Sequence, residues 1–195
     1  MRIPLFFNSI ASVSDEDLMA RVASKDDDRA FDELYHRHAR RVMGFIMRQL
    51  SDSDRAADLV QDAFLRLWSS RERYIVDKCF STWLFSIAYN LLKNEYRRSG
   101  YQNEYTEHVM NSTTEVHDED WDVKLDDHLF DEALHKELSL LDADSRLLFS
   151  LRFEEEMTVP QIAEVMKIPE GTVKSRQHTI IRNLKQKLKI YEIRR

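Results

Sequence analysis

Among 195 residues there are only three glycines and three prolines, and this scarcity constrains the fold more than any other feature of the chain. Hairpins and tight turns draw on Gly for positive φ and on Pro for a preset φ, so a chain this poor in both lacks the punctuation of a sheet protein. The strong helix formers Leu, Ala, Glu, Lys and Arg are abundant instead. The expectation is an all-α protein.

Its 43% hydrophobic content is enough for real cores, and its length leaves room for one or two small domains. The single Cys79 forbids an internal disulfide and supplies too few thiols for a structural zinc site, which points to a reducing compartment. The opening MRIPLFF is apolar for a few residues only before Asn8 and the acidic SDEDL, so neither a signal peptide nor a membrane span is expected there. A cytoplasmic protein without direct membrane insertion follows.

The formal charge of −6 hides a segregation. Residues 103–132 carry eleven carboxylates against Lys124 alone, a net of −10, whereas residues 167–195 carry nine cations against Glu170 and Glu192, a net of +7. Like charges in such density repel in a packed core, so the acidic block reads as a flexible, solvated linker. Two small helical domains are expected at 14–100 and 130–191, joined by an acidic linker over 101–129.

In ADLVQDAFLRLW (57–68) a helical projection gathers Leu59, Val60, Ala63, Phe64 and Leu67 on one side and Asp58, Gln61, Asp62 and Leu65 on the other. The first group is core; the second is either a solvated face or an interface. In FSTWLFSIAYNLLKNEYRRS (80–99) Leu84, Ile87, Ala88 and Leu91 share a face, with Thr82, Ser86, Tyr89, Lys93, Tyr96 and Arg97 opposite. Cations interleaved with rings on an exposed stripe suit nucleic acid, because cations meet phosphates and rings stack on unpaired bases. Snorkelling Lys and Arg on an ordinary amphipathic helix would give the same pattern.

Near the end, Ile162, Ala163, Val165 and Met166 mark a short helix, KIPEG interrupts it, and Pro169 stands beside the start of another. On that second helix Val173, Ile180, Leu184 and Leu188 align as the buried stripe, leaving Thr172, Ser175, Arg176, Thr179 and Arg182 outward. Two helices joined by a tight turn, the second basic, make a helix-turn-helix whose polar face suits a DNA major groove. Gly171 leaves space for close backbone approach, and Lys174 projects nearer the buried side. A helical hairpin with a charged solvent face is the competing reading.

Taken in order, AFDELYHRHARRV, DLVQDAFLRLW, FSTWLFSIAYNLLKNEYRR and LLDADSRLLFSLRFEEEMTVPQIAEVMKIPEGTVKSR resemble the extracytoplasmic-function sigma factors, the minimal two-domain class of bacterial promoter-specificity subunits. The resemblance covers most of residues 30–188. It implies that Asp58, Gln61, Asp62 and Leu65 bind the coiled coil of the largest subunit of core RNA polymerase. It implies that the stretch from about Arg71 to Arg98 reads and opens the minus-10 element, with Tyr74, Lys78, Ser81, Thr82, Tyr89, Lys93, Arg97 and Arg98 as candidates and an extruded nontemplate base held by the loop before Ser81. It also implies that Thr172, Lys174, Ser175, Arg176, His178, Thr179 and Arg182 read the minus-35 element as duplex, Lys174 through phosphate. After GTVKSR the run Gln177, His178, Thr179, Ile180, Ile181 departs from the usual family pattern. Core polymerase, promoter DNA and an anti-sigma factor, commonly membrane-anchored, are the implied partners. In the family the inter-domain connection threads through polymerase channels that otherwise hold nucleic acid, so the acidic linker is a candidate tethered mimic that weakens DNA binding by the free protein; simple solubility and spacing is the competing reading.

Two other classes compete. A helix-turn-helix regulator acting without polymerase would leave the DLVQD face unused. A di-iron bundle enzyme would use the Glu-x-x-His spacings of Glu33–His36 and Glu132–His135. No catalytic triad or phosphate-cradling glycine loop is present in the sequence; no enzyme activity, cofactor or metal is expected.

Overall fold

A computed structural model describes residues 10–76, 78–99 and 121–192. No strand occurs among the described residues, in keeping with the all-α expectation. They fall into two compact units that divide after Leu92. The acidic stretch 101–120, the larger part of the expected linker, lies outside the described residues.

The first unit contains α1 (Asp15–Lys25), α2 (Asp28–Met47), α3 (Ser53–Ser69) and most of α4 (Phe80–Ser99). Each of the first three starts where a short polar side chain can accept an otherwise orphaned backbone N–H. Ser14 Oγ accepts from Asp17 N at 3.1 Å, Asp27 from Ala30 N at 3.1 Å and Asp52 from Arg55 N at 2.9 Å. Asp26, between α1 and α2, takes a left-handed φ of 49°, a conformation that Asp tolerates better than most residues. The core gathers Leu18, Met19, Leu34, Phe45, Ile46, Leu59, Leu67, Phe80 and Phe85, all essentially without exposed surface. Burying each such side chain stabilises the unit by about 1.5–3 kcal/mol.

Arg37 of α2 ties residues 10–15 to this core. Its guanidinium donates to the carbonyls of Ile10, Ala11 and Val13 at 3.2, 2.9 and 2.8 Å, and to Asp15 and Glu33 at 2.8 Å each.

The second unit contains α5 (Trp121–Ser139), α6 (Ala143–Phe149), α7 (Val159–Met166) and α8 (Glu170–Glu192), with one π-helical turn over Ser150–Glu154. α5 begins inside the segment expected to be linker. Trp121, Leu125, Leu129 and Ala133 recur every four residues, a spacing that supports a helix despite the charge between them. Asp142 caps α6 through Ser145 N at 3.0 Å. At α7 the side chain of Gln161 accepts from Thr158 N at 2.8 Å, the returning half of a capping box.

α7 ends on Lys167 in the left-handed conformation, φ 55°. Thr172 N and Val173 N then donate to the Pro169 carbonyl at 2.9 and 3.1 Å, opening α8. The turn is therefore three residues long, and Ile162, Val165, Met166, Val173, Ile180, Leu184 and Leu188 form the buried seam of a helix-turn-helix.

Candidate polymerase and nucleic-acid interfaces

α3 separates its two faces as the projection predicts. Leu59, Val60, Ala63, Phe64 and Leu67 are buried, while Asp58 and Gln61 are exposed and Asp62 is half-buried. Leu65 stands among these three with 66% of its surface in water. Asp58 is 3.5 Å from Arg55 Nη1 with its carboxylate largely exposed, a pairing that contributes little and is easily exchanged. An exposed leucine framed by acid and amide groups offers a partner apolar contact area with a hydrogen-bonding rim.

α4 corrects the expected exposed aromatic stripe. Thr82, Tyr89 and Tyr96 are buried, at 3%, 7% and 5% exposure. The cause is the breadth of burial around this helix: Leu84, Phe85, Ala88, Leu91 and Leu92 are buried too, so apolar neighbours cover more of its circumference than one amphipathic face. Tyr74, before α4, is also buried, and its hydroxyl donates to the Lys78 carbonyl at 2.5 Å. Burial, with the carboxylate of Glu16 nearby, pushes the Tyr74 hydroxyl well above the usual tyrosine range, which keeps it a donor. Lys78, Arg97 and Arg98 are exposed, and Lys93 and Ser81 half-buried. The exposed apolar surface ahead of α4 belongs to Ile75 and Val76, 61% and 55% exposed, which sequence reasoning did not single out.

α8 presents most of what was expected of it. Lys174, Ser175, His178, Thr179 and Arg182 are exposed, and Thr172, Arg176 and Gln177 half-buried. The Lys174 side chain is 66% exposed, 3.9 Å from Glu170, so its expected place nearer the buried side is corrected: the stripe set by Val173 and Ile180 turns it outward. Ser175 and Thr179 hydroxyls donate to the helix carbonyls of Thr172 and Ser175 at 3.1 and 3.0 Å, which leaves their oxygens able to accept. Arg176 Nη1 lies 3.6 Å from Asp144, a loose ion pair rather than a hydrogen bond. A methyl group built on Gly171 would meet nothing within 4 Å; the glycine opens space outward rather than relieving a contact inside the unit.

Family profiles match at both units: sigma-70 region 2 over residues 34–101 and sigma-70 region 4 over residues 138–186. The RNA polymerase sigma-H factor of Pseudomonas aeruginosa is 31% identical over 171 residues, which span 83% of this chain and 87% of the relative. The ECF RNA polymerase sigma-E factor of Haemophilus influenzae is 31% identical over 171 residues, 84% and 89% of the two chains. The chain belongs to the extracytoplasmic-function sigma factors. It is a transcription initiation factor that binds core RNA polymerase and promoter DNA, and it is not an enzyme. Two solved structures share the fold of this sigma factor. CnrH, in complex with the cytosolic domain of CnrY, has a TM-score of 0.61 at 24% identity, over 90% of this chain and 95% of that one. The sigma factor RpoE of Bartonella quintana, in complex with the anti-sigma factor NepR, has a TM-score of 0.61 at 23% identity, over 82% and 97%.

Family membership displaces both competing classes. The Glu33 carboxylate of the di-iron alternative is engaged by Arg37 Nε at 2.8 Å, and among the described residues no group of three His, Cys, Asp or Glu side chains gathers around a metal-sized space. No helix of the described residues is long and apolar enough to cross a membrane.

Proposed function

We propose that this sigma factor divides its work among three surfaces. Core polymerase docks on the α3 face of Asp58, Gln61, Asp62 and Leu65. The minus-10 element is read by the segment from Tyr74 to Ser81 and by the α4 cations Lys93, Arg97 and Arg98, with Tyr74, Thr82 and Tyr89 acting as the buried frame. The minus-35 element is read by α8 through Thr172, Lys174, Ser175, Arg176, His178, Thr179 and Arg182. We keep the domains at 14–100 and 130–191, with the first turns of α5 reaching back into the linker; the profile matches over 34–101 and 138–186 fall mostly within these bounds.

One observation carries the polymerase assignment. On a helix that buries Ala56, Leu59, Val60, Ala63, Phe64 and Leu67, Leu65 is two-thirds exposed and stands among the three polar residues. Water alone gives no reason for a leucine there, although a single exposed leucine is tolerable. A regulator restrains the free protein: the solved structures of CnrH and of the Bartonella RpoE hold CnrY and the anti-sigma factor NepR, and an anti-sigma factor is the partner we assign here. The protein acts in the cytoplasm, where its polymerase is. The acidic linker, a tethered nucleic-acid mimic on this reading, weakens binding of the free protein to DNA; its neutralisation by Asn and Gln raises duplex affinity at fixed salt.

The test is transcription by bacterial core polymerase from a randomised double-stranded library, with wild-type protein and with Asp58→Ala/Gln61→Ala/Asp62→Ala. The expected result is initiation at sites sharing two spaced elements with the wild type only. Binding to duplex DNA but never to core would sink the polymerase assignment.

A further inference from the structure

The first turn of α1 reaches the start of α4. The first amide of α4, Phe80 N–H, belongs to the donors that any helix start leaves without an intrahelical acceptor. Its acceptor is Glu16 Oε1 at 3.1 Å, from 64 positions earlier in the chain. The neighbouring Asp15 accepts from Arg37 Nη1 at 2.8 Å and lies 2.6 Å from His38 Nε2. The His38 ring in turn packs edge-on against Phe80, centroids 5.0 Å apart. Glu16 therefore holds the fully buried Phe80 through its backbone, while Asp15 holds the His38 ring that packs against it.

Tyr74 anchors the chain on the other side of the same connection. Its hydroxyl holds the Lys78 carbonyl, and its ring lies 5.2 Å from that of Trp83 on α4. Between the two anchors Ile75 and Val76 stand in solvent, with Lys78 exposed beside them. Such a surface binds an extruded base well only if it is already in place, because extrusion costs stacking energy and ordering a loop on contact would cost more.

We propose that Glu16 is a positioning residue for minus-10 recognition. By capping α4 from α1 it sets where α4 starts, and so where Ile75, Val76, Lys78 and Ser81 meet the nontemplate strand. Glu16 acts through Phe80 N–H rather than on DNA. The inference rests on the minus-10 assignment of this segment made above.

Holoenzyme assembled from core polymerase and full-length protein carrying Glu16→Ala or Glu16→Gln tests it. Each is titrated with a fluorescent single-stranded oligonucleotide bearing the minus-10 sequence selected from the randomised library, and separately with a duplex bearing only the minus-35 element. Gln keeps an acceptor for Phe80 N–H while removing the charge. Glu16→Ala is expected to weaken single-strand binding about tenfold and Glu16→Gln less than about twofold, with duplex and core affinities unchanged. Wild-type-like binding by Glu16→Ala overturns the proposal. An equal loss in Glu16→Gln overturns it as well, by assigning the effect to charge, and an equal fall in core binding does so by assigning it to disruption of the whole unit. If wild-type holoenzyme binds the minus-10 oligonucleotide no better than a scrambled one, the failure lies instead with the assignment beneath it.

Discussion

α4 buries Phe80, Thr82, Leu84, Phe85, Ala88, Tyr89, Leu91, Leu92, Glu95 and Tyr96 among its 20 residues, whereas α8 buries only Val173, Ile180, Leu184 and Leu188 among the described side chains of its 23. A helix packed on most of its circumference has little left to offer a partner except its ends and the segment leading into it. A helix held by one stripe presents its remaining surface along its whole length. The two helices that carry the candidate DNA-facing residues are thus suited to different substrates. α8 can lie along a groove and read a duplex through successive turns. α4 leaves Ile75, Val76 and Lys78 exposed ahead of its start, and Arg97 and Arg98 in its last turn.

The comparison breaks first on Tyr89. As a core residue of α4, Tyr89→Ala should cost about 3 kcal/mol of stability, by analogy with other aromatic truncations. Chemical denaturation followed by circular dichroism measures it, and an unchanged midpoint would return Tyr89 to the surface. Next in size, Arg182→Ala on α8 should lower duplex affinity by about tenfold in low salt and reduce the slope of log K against log salt by about 0.9, with stability unchanged. A salt titration by fluorescence anisotropy decides whether Arg182 meets a phosphate.

The third test sharpens the comparison at the base of the helix-turn-helix unit. Partial burial pushes the Asp142 carboxyl up, but hydrogen bonds from the Ser145 hydroxyl and amide, with the nearby Arg176 charge, outweigh it and hold the group below the usual carboxylate range. A depressed folded-state pKa means a contribution that is complete above the unfolded value of about 3.9 and is lost as pH falls through the folded value. Asp142→Ala should therefore cost about 1 kcal/mol at neutral pH, as a lost cap does. The gap in Tm between wild type and variant should close in the acid range below ordinary aspartate titration. A gap constant down to that range would assign the cap another role. Smallest in stability is Leu65→Ser, expected within about 0.5 kcal/mol of the wild type because the side chain is already in water. Its effect should fall on core-polymerase affinity, measured by competition with another sigma factor.

Where one stripe of apolar residues does the packing, the projection and the structure agree. The five core positions of α3 and the four of α8 read directly from the helical period, because nothing else competes for those faces. α4 defeats the same method. Tyr, Thr and Ser count as polar in a projection, yet a tyrosine can bury its ring and still pair its hydroxyl, as Tyr74 does with Lys78. The Lys174 misplacement is a smaller error of the same kind, since a fixed angle per residue locates a side chain only as well as the stripe chosen for reference. Arg37 and Glu16 had no local signal at all: their partners stand 22–27 and 64 positions away, apart from Glu33 one turn back. The doublet of acids after Ser14 reads as a helix start, but not as a cap for a different helix.

Composition, charge segregation and helical period determined by themselves that the folded elements are helices, that the second unit holds a basic helix-turn-helix, and which motifs mark the family. These follow from local energetics, turn chemistry and periodic burial, which adjacent residues decide among themselves. Only the tertiary structure decided that the α4 aromatics lie inside, that Ile75 and Val76 lie outside, and that α1 caps α4 through Glu16. Those outcomes depend on which distant surfaces meet, and the accounting of buried area and paired donors closes only once every element is packed.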